Sequence, residues 1–125
     1  MSGKKILVVE DNLLNRRLVH DVLGRGGHAV IEATSIAEGR AALEKEIPDA
    51  VLLDIGLPDG SGERLLEQIR AEPRWAHLRV MAVTAYAMVG DRERLLGIGF
   101  DSYVSKPINT RTFTREVEQM MEKAR

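Results

Sequence analysis

The sequence contains no cysteine, so disulfide frameworks and thiolate–zinc sites are excluded. It also lacks any run near the ~18 apolar residues that a membrane span requires, and its N-terminus has no apolar stretch typical of a signal peptide. An excess of one charge is missing as well, since 18 basic residues face 19 acidic ones. A polybasic surface for nucleic acid or for a membrane is therefore not predicted. A reducing cytoplasm is compatible with a cysteine-free chain, and we expect that location.

No linker, internal repeat or low-complexity segment divides the 125 residues. A chain of this length can bury a core without disulfides or structural metals. We therefore expect one domain over residues 1–125, with no output domain after the last predicted helix.

Five short apolar runs alternate along the chain with five segments of helical periodicity. Apolar runs rich in β-branched residues predict strands, and apolar residues three or four apart predict helices. This alternation favours an α/β fold with a parallel sheet covered by helices on both faces. The predicted strands are 6–9, 28–33, 50–54, 78–83 and 101–104, and the predicted helices are 13–25, 35–47, 61–72, 88–96 and one capped by Asn109.

The second predicted helix has small residues at helical spacing. They predict an inner face that packs closely on the sheet. That face is expected to consist of Ala37, Ala41, Ala42 and Ile47.

Asp54 directly follows the apolar run Ala50-Val51-Leu52-Leu53. A continuous apolar run followed by the turn formers Gly56 and Pro58 is typical of a strand buried on both faces. A carboxylate at the end of such a strand is a cap, a metal ligand or a nucleophile. What the other strands bring to the same edge of the sheet decides between these roles.

Several predicted strands end in polar side chains, and parallel pairing would bring these side chains to one edge of the sheet. Three carboxylates at one edge repel one another unless a cation neutralises them. Oxygen ligands favour a hard cation such as Mg²⁺, which completes its shell with water and phosphate oxygens. A lysine and a threonine could hold further phosphate oxygens, so the set fits an aspartyl-phosphate site. The residues are Glu10 and Asp11 after strand one, Asp54 at the end of strand three, Thr84 after strand four and Lys106 after strand five.

The order and spacing of these residues resemble the receiver domains of two-component response regulators, over essentially the whole chain. The variant Glu10-Asp11-Asn12 with Asn15, together with Ala85-Tyr86-Ala87-Met88, is most similar to stand-alone receivers of the DivK type. The resemblance implies a flavodoxin-like (βα)5 fold, a doubly wound sheet of five parallel strands in the order 2-1-3-4-5. The motifs that carry it are Glu10-Asp11, Asp54 with Leu57-Pro58 and Gly62, Thr84-Ala85, and Tyr103-Val104-Ser105-Lys106-Pro107.

The resemblance also implies a role for each matching residue. Mg²⁺ is the implied cofactor, and Asp54 is the implied phosphoacceptor. The implied Mg²⁺ ligands are Asp11 directly, Glu10 largely through water, Asp54, and the Gly56 backbone carbonyl. Thr84 and Lys106 are expected to contact phosphoryl oxygens, and Tyr103 is expected to turn inward when Thr84 moves. The resemblance also implies a cis peptide bond between Lys106 and Pro107.

A receiver of this type is expected to take its phosphoryl group from a histidine kinase or a histidine phosphotransfer protein. It would then act on a protein target that docks on the fourth helix, fifth strand and fifth helix, where Tyr103, Arg92, Arg94 and Arg111 lie. We expect a monomer or a phosphorylation-dependent dimer. An enzyme that turns over other substrates is not expected.

Several alternatives remain on the sequence alone. Gly56, Gly60 and Gly62 predict a flexible loop after Asp54, and a receiver-like binding module that ignores phosphate is a second possible function. Glu10-Asp11 could instead cap the first helix, and Tyr103 could be a plain core aromatic. A flavodoxin is disfavoured because the acidic loop after strand one would repel a flavin phosphate. A haloacid-dehalogenase-type phosphatase is disfavoured because it expects an aspartate where Gly56 stands. The histidines lack metal-ligand spacing: His20, His28 and His77.

Overall fold

The computed structural model describes residues 3–85 and 89–123. Within them, strands and helices alternate as predicted, and two short strands follow the third long strand. None of the helices in these two segments combines the length and apolar character that crossing a membrane requires. The strands are β1 Lys5–Val9, β2 Ala29–Ala33, β3 Ala50–Asp54, β4 Gly56–Leu57, β5 Gly60–Ser61, β6 Arg79–Thr84 and β7 Ser102–Ser105. The helices are α1 Leu13–Arg25, α2 Ile36–Lys45, α3 Gly62–Ala71, α4 Asp91–Gly97 and α5 Phe113–Glu122.

The five long strands form one parallel sheet in the order β2-β1-β3-β6-β7. Since β6 and β7 are the fourth and fifth long strands along the chain, this is the expected order 2-1-3-4-5. The short strands β4 and β5 form a separate antiparallel ribbon. The strand order reverses between β1 and β3, so their carboxyl ends border the crevice where open parallel sheets bind ligands.

β3 lies at the centre of the sheet, and all five of its residues are buried. Val51 and Leu53 belong to the core beneath α2, α3 and α4. Leu52 belongs to the opposite core, beneath α1 and α5. The apolar run before Asp54 is therefore packed on both faces, as predicted, and it holds the start of the site firmly in the sheet.

α2 buries a different face from the predicted one. Ala42 is only half-buried, and Ala37, Ala41 and Ile47 are exposed. At Gly39 the helix approaches its neighbours so closely that an added Cβ would lie 2.8 Å from a Leu65 methyl carbon. The residue that permits close packing is therefore a glycine rather than the alanines. The buried face is Ile36, Gly39 and Leu43.

The last helix begins later than predicted, because Asn109 closes a turn that precedes it. The Asn109 side-chain oxygen accepts a hydrogen bond from the Arg111 amide at 3.0 Å. Its main-chain carbonyl accepts from the Phe113 amide at 2.9 Å, and α5 starts only at Phe113. The apolar spacing along this helix predicts an inner face of Phe113, Val117, Met120 and Met121; the first three are buried and Met121 is half-buried.

Residues 56–61 form the β4–β5 ribbon rather than the flexible loop that three glycines predict. Gly62 then starts α3 close to the end of β3, and its amide donates to the Ile55 carbonyl at 2.8 Å. A Cβ at Gly62 would lie 2.0 Å from the main-chain oxygen of Asp54, a distance that no real Cβ contact shows. Gly62 therefore permits a close approach of helix and strand beside the site.

The ribbon is also tied to α2 through Asp59 in its turn. Asp59 Oδ1 accepts a hydrogen bond from the Ile36 amide at 2.9 Å, and Oδ2 accepts one from the Ala37 amide at 3.1 Å. These bonds satisfy two amides at the helix start that have no partner within the helix. The same two bonds lower the pKa of Asp59, so the carboxylate is ionised at neutral pH.

Replacing Gly62 with alanine is expected to lower the free energy of unfolding by about 1–3 kcal/mol, because the added methyl group overlaps the Asp54 carbonyl. Gly24→Ala is the matched control, since Gly24 lies in α1 and an added Cβ there meets no atom within 4 Å. Helix propensity predicts that this control gains about 0.5–1 kcal/mol. Urea unfolding measures both variants, and equal changes would contradict the steric role of Gly62.

Candidate functional site

The sheet brings the ends of its central strands side by side. Val9 of β1 pairs with Leu53 of β3, and Glu10 and Asp54 directly follow these two residues. Asp54 pairs with Val83 of β6, and Thr84 follows Val83. Lys106 follows β7, and its amide donates to the Thr84 carbonyl at 2.8 Å. Asp11 follows Glu10 directly and lies beside Glu10 and Asp54. All five residues predicted at strand ends therefore come to one edge of the sheet.

The Lys106 ammonium group joins two of the three carboxylates. Its Nζ donates to Asp54 Oδ2 at 2.9 Å and also contacts Glu10 Oε1. The Glu10 and Asp54 side chains are 5% and 9% exposed, and that of Lys106 is 14% exposed. Buried charges are stable only when they are paired, so this contact balances the negative charge of the site. The Lys106–Pro107 peptide bond is cis, as the resemblance implies.

The three carboxylates form a set that fits a hard divalent cation. One oxygen each from Glu10, Asp11 and Asp54 lie within 4.8 Å of one another. Glu10 and Asp54 are buried, whereas Asp11 is exposed. Oxygen donors with one side open to solvent suit Mg²⁺, which binds few carboxylates and keeps several waters. The donor set therefore fits the metal that the sequence predicts.

The electrostatics of the site follow from burial and from these close charges. Burial raises the pKa of Glu10, and the Asp54 carboxylate raises it further, while Lys106 and the Asn12 amide partly oppose both effects. For Lys106, burial alone would lower the pKa, but the hydrogen bonds to Glu10 and Asp54 outweigh it and raise this pKa. Lys106 is therefore charged at neutral pH.

Two short segments of main chain hold the carboxylates in place. Glu10 Oε2 accepts a hydrogen bond from the Asn12 amide at 3.1 Å, and Asn12 itself caps α1 by accepting from the Asn15 amide at 3.0 Å. Asp54 Oδ1 accepts from the Gly56 amide at 3.2 Å. Asn12 is thus the cap of α1, which leaves the side chains of Glu10 and Asp11 for the site.

The structure places three further predicted residues, but its contacts do not test the functions predicted for them. Thr84 is buried at the end of β6, and its contact with a phosphoryl group stays a prediction. Gly56 lies two residues after Asp54, and ligation by its carbonyl likewise stays a prediction. Tyr103 is half-buried, packs against the core beneath α4 and lines a groove on the surface, which suits either a core aromatic or a switch.

Arg16 is a site residue that the sequence patterns do not reveal. Its Nη1 donates to the main-chain carbonyls of Glu10 at 3.1 Å and Asp11 at 3.4 Å. One signal could have found it, since side chains on a helix point toward its N-terminus. A long basic side chain in the first turn of α1 can therefore reach back to the loop before it.

An exposed apolar rim on α1 borders the acidic edge. We define this α1 rim as Leu13, Leu14 and Leu18, whose exposed fractions are 49%, 75% and 38%. Leu18 also lines a small cavity together with Glu10 and Lys106. The rim therefore continues directly into the site.

The surface formed by α4, β7 and α5 contains the three arginines named from the sequence. Arg92 lines the groove beside Tyr103, and Arg111 is exposed. Arg94 pairs with Glu63 of α3 at 3.1 Å. Tyr86, Ala87 and Met88 belong to the DivK-like pattern, and Met88 is also the predicted start of the fourth helix. These three residues lie outside the described residues.

Comparisons with known proteins agree with this geometry. The model of the response regulator receiver domain matches residues 6–118. The polar-differentiation response regulator DivK of Brucella ovis is 35% identical over 118 residues, which are 94% of this chain and 96% of that protein. DivK of Brucella anthropi is 34% identical over the same shares of the two chains.

Two solved structures combine a similar fold with 30% identity. A CheY-like receiver domain protein from Methanospirillum hungatei JF-1 has a TM-score of 0.86 and covers 97% of this chain and 95% of its own. The receiver domain of a sensor histidine kinase from Pseudomonas aeruginosa PAO1 has a TM-score of 0.87 and covers 98% and 100%. That structure holds a magnesium ion coordinated in the active site cleft. The match over nearly the whole chain and the acidic strand ends show that this chain belongs to the family of response regulator receiver domains.

Proposed function

We propose that this chain accepts a phosphoryl group on Asp54, in the cytoplasm, from a histidine kinase or a histidine phosphotransfer protein, with Mg²⁺ as cofactor. The observation that supports this most directly is the Lys106 ammonium group between Asp54 and Glu10, with the Asp11 carboxylate beside them. A role for Asp54 as a helix cap does not account for a buried carboxylate with a lysine partner. In this proposal the protein changes only its own phosphorylation state and acts on no other substrate.

The chemistry of the proposed transfer uses the residues at the strand ends. A carboxylate oxygen of Asp54 attacks the phosphorus of the phosphohistidine, so that an O–P bond forms while the P–N bond breaks and the imidazole nitrogen keeps the electron pair. Bound Mg²⁺ would supply positive charge that offsets the repulsion between carboxylates and phosphoryl oxygens. Glu10 and Asp11 provide oxygen ligands for it. Lys106 is close enough to Asp54 to hold a phosphoryl oxygen, and the Thr84 hydroxyl can donate to another.

The α1 rim supports a docking place for the phosphoryl donor. Exposed apolar residues that adjoin one another mark protein interaction sites more often than scattered ones do. α1 begins two residues after Asp11, so a helix that carries a phosphohistidine could lie on the rim and present its ring to Asp54. We propose that this rim receives the donor protein.

The surface of α4, β7 and α5 is a second surface beside the site and is the proposed docking place for a downstream protein. Lys106 and Thr84 join it to the site through their main-chain hydrogen bond. Phosphorylation would bias the packing of Thr84 and Tyr103 between two arrangements, which is sufficient for a change in affinity. The same surface could support a phosphorylation-dependent dimer.

Phosphorylation by a small donor tests the proposed acceptor. With MgCl₂ and acetyl phosphate, the wild-type protein is expected to gain the mass of one phosphoryl group, because the site itself assembles the groups that transfer requires. Asp54→Asn is expected to gain none, and so is the wild-type protein with excess EDTA. Intact-mass spectrometry measures all three samples. An unmodified wild-type protein, or equal modification of the Asn variant, would reject this function and favour a binding module that ignores phosphate.

Replacement of Leu14 with arginine separates docking from chemistry. Phosphotransfer from a partner kinase, identified by transfer profiling, is expected to slow about 10-fold because central apolar contacts dominate such interfaces. Phosphorylation by acetyl phosphate is expected to stay unchanged, since that donor needs no docking surface.

Ile47→Arg is the matched control for this variant. Ile47 is 46% exposed but precedes β3, so it lies near the opposite edge of the sheet. It is expected to leave both reactions unchanged. Equal slowing by the two arginine variants, or slowing with acetyl phosphate, would show that the α1 rim is not a specific docking surface.

A further inference from the structure

Arg16 lies in the first turn of α1, and its guanidinium group reaches back over the helix start. Nη1 donates to both main-chain carbonyls of the segment 10–11, at 3.1 Å and 3.4 Å. The side chain is 15% exposed, so most of its length is held against the protein. One group therefore binds the main chain on both sides of Asp11, the exposed carboxylate of the proposed metal site.

Glu32 on the edge strand β2 holds the same guanidinium group from another side. Arg16 Nε donates to Glu32 Oε1 at 2.7 Å, and His20 Nδ1 lies 2.7 Å from Glu32 Oε2. Burial alone would raise the pKa of Glu32, but the hydrogen bonds from Arg16 and His20 outweigh it and lower this pKa. A charged pair of this kind restricts the orientation of a guanidinium group more than a neutral hydrogen bond does.

We infer that Arg16 is a positioning residue for the metal ligands Glu10 and Asp11, and that Glu32 orients Arg16 for this role. The inference rests on the proposed function, because it concerns the Mg²⁺ site of that function. The two carbonyls that Arg16 holds belong to the peptide planes before and after Asp11. Fixing these planes fixes the direction in which the Asp11 side chain leaves the main chain, and it restricts Glu10 as well.

Charge and geometry predict opposite effects for the loss of Arg16. A nearby cation repels Mg²⁺, so its removal would strengthen Mg²⁺ binding if only charge mattered. Removal of the two carbonyl hydrogen bonds frees the ligand segment, and groups that orient metal ligands contribute about 10–100-fold in affinity. Because Glu32 offsets the charge of Arg16, we expect the geometric effect to be larger. The direction of the change in affinity therefore tests the inference.

The experiment is a titration of ¹⁵N-labelled protein with MgCl₂, in which the amide signals of Asn12 and Gly56 give the dissociation constant. Arg16→Ala is expected to bind Mg²⁺ about 10-fold more weakly than the wild type. Arg16→Lys is expected to lose less, because an ammonium group can still reach one carbonyl. Arg17→Ala is the matched control, since Arg17 is an exposed arginine on the same helix, and its dissociation constant is expected to stay unchanged.

The Glu32→Gln variant tests separately whether Glu32 orients Arg16. It is expected to weaken Mg²⁺ binding less than Arg16→Ala does, and the double variant is expected to bind no more weakly than Arg16→Ala, because both residues act through one contact. Urea unfolding shows which variants are folded, and Arg16→Lys is the test if Arg16→Ala does not fold.

The outcomes separate this inference from the proposed function. Unchanged or tighter Mg²⁺ binding by a folded Arg16 variant would overturn the positioning role and leave the proposed function standing. Independent, additive effects of Arg16→Ala and Glu32→Gln would overturn the orienting role of Glu32. A wild-type protein that binds no Mg²⁺ at millimolar concentration would overturn the proposed function and this inference with it.

Discussion

The site depends on one ammonium group shared between two buried carboxylates. Glu10 and Asp54 lie buried at the ends of adjacent strands, where burial and the neighbouring Asp54 carboxylate raise the pKa of Glu10. Lys106 supplies the balancing charge from the segment after β7, two strands away from β3 in the sheet. The charges therefore balance only when β1, β3, β6 and β7 have all assembled. The site therefore exists only in the assembled sheet.

Asp54 has a rigid main-chain support and two candidate docking surfaces beside it. β3 is packed on both faces, and α3 starts against its last residue, so the acceptor has little freedom of its own. The α1 rim and the α4, β7 and α5 surface both adjoin the site, and α1 and α5 cover the same face of the sheet. In the proposed function, donor and target proteins thus reach one rigid carboxylate over neighbouring surfaces. The main-chain hydrogen bond between Lys106 and Thr84 connects the second surface to the site.

The strand order and the strand-end residues could be predicted because apolar periodicity and parallel topology place them without any detail of side-chain packing. The buried face of α2 could not, since contacts with two other elements at Gly39 set the rotation of the helix. Asn109 was ambiguous because its side chain can close a turn as well as cap a helix. Arg16 escaped prediction because its partners at the site are main-chain carbonyls, which every residue possesses.

The β4–β5 ribbon has a consequence for how this sequence can change in length. Surface connections usually tolerate inserted or deleted residues. Here the segment between Asp54 and Gly62 is anchored at three points: the close approach of Gly62 to the Asp54 carbonyl, the strand pairing within the ribbon, and the Asp59 carboxylate on the start of α2. One added residue would move at least one anchor out of register. Although it lies near the surface, this segment has an effectively fixed length, and we expect it to accept substitutions but not inserted or deleted residues.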